Sequence, residues 1–309
     1  MTDLILLTGF LGSGKTTLMK RLLDSYADHR IGVIINEFGS INIDAQLVEK
    51  DGVQMAELSN GSIFCACIKD KFVESLIEMA WRDLEFLFIE ASGLADPANM
   101  EHILSGIAHK TDDGYTYRGS LCIADAENYL DLAELLPAIK SQTEYAQAII
   151  LNKIDLVDEE ELEEVKEKVR EFNKDAEIYP TSFCGVNIRD IVEQMGMMMI
   201  HKEARESSNT WQNRANTFNL IGTETLPFEK LQTFLEEILE SSYRIKGFAV
   251  TDQGVKEIST VGKNMYINDW SKPVERNEIV VISSIGLAMM SKLTKALDAH
   301  LKGLLELQI

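Results

Sequence analysis

The first two hundred or so residues alternate between two hydrophobic patterns. Short, nearly continuous apolar runs occur at "LILLTG" (4–9), "IGVIINE" (31–37), "FLFIEAS" (86–92), "SLCIADA" (120–126) and "AIILNK" (148–153). Between them lie stretches of helical character, such as 16–25 and 71–82. A half-exposed strand alternates apolar and polar residues, whereas a strand buried on both faces reads as a continuous run. The segment "DEEELEEVKEKVREFN" (158–173) has acids in its first turn and bases further on, which suits the dipole of a helix. This succession predicts an α/β, doubly wound, mostly parallel sheet.

The pattern breaks near Met197. "HKEARESSNTWQNRAN" (201–216) is polar and aperiodic and reads as a linker. Beyond it, "TFNLIG" (217–222), "RIKGFAVT" (244–251), "GVKEIST" (254–260) and "EIVVISSIG" (278–286) read as strands. "PFEKLQTFLEEILES" (227–241) reads as an amphipathic helix and "LAMMSKLTKALDAHLKGLL" (287–305) as a closing one. The expected organisation is a P-loop domain over 1–200, a linker over 201–216 and a smaller α+β domain over 217–309. No internal repeat is present.

The charge balance narrows the partners. A formal net charge of −20 repels phosphate backbones and anionic lipid, so neither nucleic acid nor a membrane surface is expected as a general partner. It leaves room for one local phosphate site and favours cations. No apolar run reaches the length of a membrane span. The N-terminus, Thr2 and Asp3 followed by Leu4 to Leu7, lacks the basic region and apolar length of a signal peptide. Four cysteines in 309 residues do not make a disulfide scaffold, and a cytoplasmic protein with reduced thiols is expected.

Candidate chemistry starts at "GFLGSGKT" (9–16), which matches G-x-x-x-x-G-K-[ST] between a strand and a helix. Gly9, Gly12 and Gly14 let backbone N–H groups turn toward phosphate oxygens, and Ser13 and Thr17 belong to the same cradle. Lys15 supplies charge to the β- and γ-phosphates and Thr16 a hydroxyl to Mg²⁺. "NKID", Asn152 to Asp155, follows a later strand. There Asp155 can accept from guanine N1–H and the exocyclic amine, whereas adenine offers no such donor pair. The stem of Lys153 can lie over the base. Thr181 and Ser182, in "PTS", can offer N–H groups to the guanine carbonyl. Asp155 has a second reading, as the N-cap of the acidic helix that follows.

In "IEASG" (89–93), Glu90 ends a strand, placed for Mg²⁺ or for the attacking water, and Gly93 can offer its N–H to a γ-phosphate. "INEFGS" (35–40) ends at the same expected edge, so Asn36, Glu37 and Asp44 are candidates near the phosphates or ordinary loop acids. A GTPase with GTP and Mg²⁺ is the leading expectation. A P-loop small-molecule kinase is the alternative that "NKID" and the lack of an arginine-rich lid oppose.

Taken in order, "LLTGFLGSGKTTL" (6–18), "NEFGSINID" (36–44), "ELSNGSIFC" (57–65), "IEASGLADP" (89–97) and "LNKIDL" (151–156) resemble the CobW-like GTPases, relatives of the UreG and HypB metal-insertion GTPases. "YRIKGFAV" (243–250) and "INDW" (267–270) are similar to the CobW C-terminal domain. The resemblance implies a GTPase that binds a transition metal, Zn²⁺ or Co²⁺, and delivers it to a client metalloprotein. The alternative expectation, separate from the resemblance, is a metal-independent GTPase switch or chaperone acting on a cofactor-dependent client enzyme, and a homodimer is compatible with either.

The chain departs from that family in one loop. The family pattern is Asn-Gly-Cys-x-Cys-Cys, and the matching residues are Asn60, Gly61, Ser62, Ile63, Phe64 and Cys65. Two motif cysteines are replaced, and Cys67 is additional. An extended Cys65–Cys67 segment would point both thiols to one face as soft ligands, with Glu37 the third ligand that the resemblance implies. Packing of two small apolar residues is the second reading, and a redox pair, disfavoured by strain, the third. Cys122, Cys184 and the methionine run 195–199 read as packing residues, and His102 and His109 as surface.

Overall fold

A computed structural model describes residues 1–37, 54–59, 69–197, 216–261 and 264–308. The chain divides into two compact units, Met1–Gln212 and Asn213–Ile309. The expected linker, 201–216, lies outside the described residues except for Asn216.

The first unit is built on seven strands: β1 (Thr2–Thr8), β2 (Ile31–Glu37), β3 (Gln54–Ser59), β4 (Phe86–Glu90), β5 (Tyr115–Asp125), β6 (Ala146–Asn152) and β7 (Glu177–Pro180). Their order is β3-β2-β4-β1-β5-β6-β7, and every pairing is parallel. The described helices are α1 (Lys15–Ser25), α2 (Lys69–Ala80), α3 (Met100–Thr111), α4 (Tyr129–Leu135), α5 (Pro137–Glu144), α6 (Glu159–Phe172) and α7 (Ile188–Met197). Successive side chains of β1 feed opposite faces of the sheet. Ile5 and Leu7 join a core with α1 and α7, through Leu18, Leu22, Ile188 and Ile191. Leu4 and Leu6 join a second core with α2 and α3, through Phe72, Leu76, Ile103 and Ile107. Burial on both faces is why "LILL" carries no polar alternation.

β3 escapes that pattern. Among the described strands it is an edge strand with β2 as its one neighbour, and "QMAELS" is correspondingly short and mixed. Met195 is buried on α7 while Met197 is exposed, so the described part of the methionine run divides between core and surface.

The second unit is a six-stranded antiparallel sheet: β8 (Thr217–Gly222), β9 (Ser242–Thr251), β10 (Gly254–Val261), β11 (Asn264–Asp269), β12 (Asn277–Ser283) and β13 (Glu306–Gln308), in the order β11-β10-β9-β12-β8-β13. Two helices, α8 (Phe228–Leu239) and α9 (Ala288–His300), share a core with one face of it, including Phe218, Phe234, Ile245, Ile279, Val281 and Leu293. The expected closing helix over 287–305 is thereby corrected. It stops at His300, Gly303 adopts a left-handed φ of 73°, and the chain returns as β13 on the free edge of β8. Helical periodicity could not reveal this stop, because "LKGLL" continues the apolar spacing and the edge that captures β13 lies about eighty residues away.

Phe88 of β4 is fully buried between Phe86, stacked at 6.0 Å, and Tyr26, edge-on at 5.5 Å. Phe88→Ala is expected to lower unfolding free energy by roughly 3–5 kcal/mol. Chemical denaturation will measure it, and a loss below about 1 kcal/mol would contradict the packing described.

Candidate nucleotide-binding site

In a parallel sheet all carboxyl ends lie on one edge, so the segments after β1, β4, β5, β6 and β7 emerge together. The loop after β1 is crowded by backbone. A Cβ on Gly9 (φ 140°) would sit 2.3 Å from Ile123 O, and one on Gly14 (φ 115°) would sit 2.6 Å from Asn152 Nδ2. Both positions therefore require glycine for space as well as conformation. Lys15 opens α1, is buried, and donates from Nζ to Gly9 O (2.9 Å) and Phe10 O (3.1 Å). The first turn of α1 carries no acid, so no side chain there competes for the positive end of the helix dipole.

Glu90 ends β4 beside Leu7 of β1 and is 3% exposed. Thr16 Oγ1 donates to Glu90 Oε1 at 3.3 Å, joining the two residues expected at Mg²⁺. Hydroxyl and carboxylate oxygens are hard donors of the type that this ion takes. The segment after Glu90 is pressed against the loop after β1: a Cβ on Gly93 would lie 2.6 Å from Leu11 N. α5 holds it there. Gln142 Nε2 donates to Gly93 O (3.2 Å) and Ala95 O (2.8 Å), and Ser141 Oγ donates to Asp96, whose Oδ1 accepts from Ala98 N (3.1 Å).

Asn152, at the end of β6, joins this cradle to the loops after β6 and β7. Its Nδ2 donates to Ser13 O (2.8 Å) and its Oδ1 accepts from Cys184 N (2.9 Å). Thr181 N donates to Leu151 O (2.8 Å), extending the β6–β7 ladder, and Ile154 N to Thr181 O (3.3 Å). Phe183 and Cys184 both have left-handed backbones, a corner held by the Asn152 contact and by Arg21 Nε donating to Phe183 O (2.9 Å). Thr181 is buried, Ser182 half-buried and Thr17 exposed.

The side chain of Asp155 is exposed, in a single 3-10 turn, Ile154–Leu156. Its second reading is answered by the next helix: α6 is capped by Asp158, which accepts from Glu161 N at 2.9 Å. Capping therefore makes no demand on the Asp155 carboxylate.

One residue was not singled out from the sequence. Asp125 ends β5, is 4% exposed, and accepts at Oδ2 from Lys153 Nζ (2.7 Å) and Asn128 Nδ2 (3.1 Å). The available signal was its place, an acid closing a buried run as Glu90 does. Three buried polar atoms at this edge, Ser13 Oγ, Ser92 Oγ and Asp125 Oδ1, have no hydrogen-bond partner among the described residues. Buried polar atoms usually have a partner, and a group of them at one edge suits a place that takes up a polar ligand or ordered water.

Asn36, expected near the phosphates, is buried and donates from Nδ2 to Leu58 O (3.4 Å), across β2 and β3. Glu37 ends β2, but its side chain, with Asp44, Cys65 and Cys67, lies outside the described residues. Among the described residues no group of three or more His, Cys, Asp or Glu is arranged to hold a metal ion. Burial pushes the thiols of Cys122 and Cys184 up to about 12 and about 11, so both are neutral near pH 8 and poor ligands.

The family model of the CobW/HypB/UreG nucleotide-binding domain matches residues 3–180. This chain belongs to that family. The CobW/HypB/UreG proteins are a P-loop GTP-binding group. The chain is 27% identical to the zinc chaperone YjiA of Escherichia coli, over 87% of this chain and 88% of that protein. It is 27% identical to the zinc-regulated GTPase metalloprotein activator 1 of Dictyostelium discoideum, over 60% of this chain and 47% of that protein. The crystal structure of a Zn(II)-bound triple mutant of the YjiA GTPase has the same fold, with a TM-score of 0.50 at 20% identity, covering 97% of this chain and 98% of that one.

Folded protein treated with iodoacetamide at pH 8 is expected to leave Cys122 and Cys184 unmodified, and denaturant to make both reactive. Raising the pH to 9 or 10 should not change the native pattern, because a thiol with a raised pKa stays protonated until the pH approaches that value. Peptide mass spectrometry checks this, and native labelling of either residue at the rate of a free thiol would contradict it.

Proposed function

We propose that this protein binds and hydrolyses GTP and couples that cycle to delivery of a transition metal, Zn²⁺ or Co²⁺, to a client metalloprotein. The observation that carries the reading is the convergence on one sheet edge of the Gly9–Thr16 loop, Glu90 and the Asn152–Asp155 turn, with Asn152 bonded to Ser13 O and to Cys184 N. Family membership and the names of the relatives support it.

In this reading the N–H groups of the Gly9–Thr16 loop surround the phosphates, and Lys15 exchanges its two carbonyl contacts for phosphate oxygens. Gly93 N–H faces the γ-phosphate. Glu90 orients the attacking water or binds the magnesium ion. Thr16 and Glu90 would hold Mg²⁺, which supplies charge neutralisation at the phosphates when bound. Asp155 accepts from guanine, Lys153 covers the base, and Thr181 and Ser182 face its carbonyl oxygen. No arginine lies in the phosphate motifs, so intrinsic turnover should be slow, on the order of 10⁻² s⁻¹ or less.

The metal is cargo, with Cys65, Cys67 and Glu37 as its proposed ligands. Glu37 ends β2, whose carboxyl end lies on the same sheet edge as the ends of β1 and β4, so nucleotide state and metal affinity are coupled in this reading, and linkage makes the coupling reciprocal. A second reading, a metal-independent GTPase switch acting on a cofactor-dependent client, is favoured by Ser62 and Phe64 standing at two family cysteine positions.

Wild-type protein is expected to prefer GTP over ATP by about 100-fold or more in calorimetric titration. Asp155→Asn should move that preference toward xanthosine triphosphate, Lys15→Ala should abolish turnover, and Glu90→Gln should reduce it. Equal GTP and ATP affinity would sink the guanine assignment.

The metal half is tested separately, by titrating Zn²⁺ and Co²⁺ into wild type, Cys65→Ser and Cys67→Ser, with and without a non-hydrolysable GTP analogue. One ion per wild-type chain and weaker binding in both variants are expected. Identical binding in all three proteins would transfer the function to the metal-independent switch.

A further inference from the structure

We infer that Asp125 is a positioning residue for guanine recognition, acting through Lys153; the inference rests on the guanine reading above. A lysine stem covers a base only if it is held across it, and a free lysine samples many rotamers around a flexible four-carbon chain. Here the stem is fixed at both ends. At its root the Lys153 backbone is left-handed, with φ 65°, an unusual conformation for a residue with a side chain. At its tip Nζ donates to Asp125 Oδ2 at 2.7 Å. The root leaves the end of β6 and the tip is held at the end of β5, where Asp125 and Asn152 are registered partners. The alkyl stem therefore spans the ends of two adjacent strands.

Asp125 is itself held by several contacts. Its backbone is in the ladder, its O accepts from Asn128 N (3.2 Å), and its Oδ2 also accepts from Asn128 Nδ2 (3.1 Å). Ala126 N donates to Asn152 O (2.9 Å), closing the junction just beyond the pair. The carboxylate is 4% exposed, unlike most surface ion pairs, whose solvated partners wander. What the pair delivers is a preformed lysine position, so that the base meets an ordered stem instead of ordering it on binding.

The test measures the affinity of folded full-length protein for GTP and for inorganic tripolyphosphate, which shares the phosphates but has no base. Both are followed by displacement of a fluorescent ribose-labelled GTP. Asp125→Asn should weaken GTP about tenfold and leave tripolyphosphate within about twofold of wild type. Lys153→Met should cost a similar factor, and the double variant no more than Lys153→Met alone, because the two residues act as one. Asp125→Glu, which keeps the charge and can reach Nζ, should restore GTP to within about threefold. Asp125→Thr, a neutral substitute suited to a strand, repeats the measurement should Asp125→Asn fold poorly. Unchanged GTP affinity in Asp125→Asn, a parallel loss of GTP and tripolyphosphate, or additive losses in the double variant would each overturn the inference while leaving the guanine reading intact. A wild-type protein with no preference for GTP over ATP would overturn both.

Discussion

The side-chain amide of Asn152 is the contact on which the site depends. It is buried, and it serves two loops at once, donating to the carbonyl of Ser13 and accepting from the N–H of Cys184. The first contact fixes the phosphate cradle against the end of β6, and the second fixes the corner that follows β7. Gly14 is packed so closely on the same amide that only a residue without a Cβ fits. A buried amide of this kind is costly to remove, because two backbone groups would be left without partners in a region closed to water. The separation between the Gly9–Thr16 loop and the loops after β6 and β7 is thus set by a polar junction, and the apolar cores support it from below.

Those cores explain why the junction can be held. β1, β2 and β4 each feed one set of side chains to the core with α1 and α7 and the alternate set to the core with α2 and α3. Close packing on both faces leaves the strand ends little freedom, and the loops inherit that rigidity. The costs accumulate at the edge where the loops emerge. Lys153, Phe183 and Cys184 adopt left-handed backbones there, and Ser13, Ser92 and Asp125 bury atoms without partners among the described residues. Asp112 and Asp113, ahead of β5, are left-handed at the opposite edge, so it is the buried polar atoms, rather than backbone strain, that single out the carboxyl edge.

An acidic chain that takes up a polyphosphate faces an electrostatic conflict. With a net charge of −20 the surface as a whole opposes the ligand. The cradle answers locally, with glycine-rich backbone, an acid-free helix N-terminus and the buried Lys15. Screening at physiological salt confines the opposition of distant acids to about a Debye length, roughly 8 Å, whereas contacts within the loop are made at hydrogen-bond distance. The same acidity suits a protein whose proposed cargo is a cation.

Much of this was legible in the sequence. Continuous apolar runs marked the parallel sheet because a strand buried on both faces has no polar side to display, and the glycine spacing from Gly9 to Gly14 marked the cradle because backbone can crowd a phosphate only where side chains are missing. The second unit was visible through alternating runs and the amphipathic α8. Other features depend on neighbours far along the chain. β3 and β11 are edge strands whose mixed composition carries no period, and the stop of α9 at His300 follows from an open edge on β8. Only the fold showed that Asp158, and not Asp155, caps α6, and that Asn152 touches both the cradle and the Cys184 corner. Only the fold brought Asp125 to Lys153, twenty-eight residues on. Periodicity and motif spacing are local properties of a chain and can be read along it. Which buried donor meets which acceptor is decided by strand order, and strand order exists only once the sheet has formed.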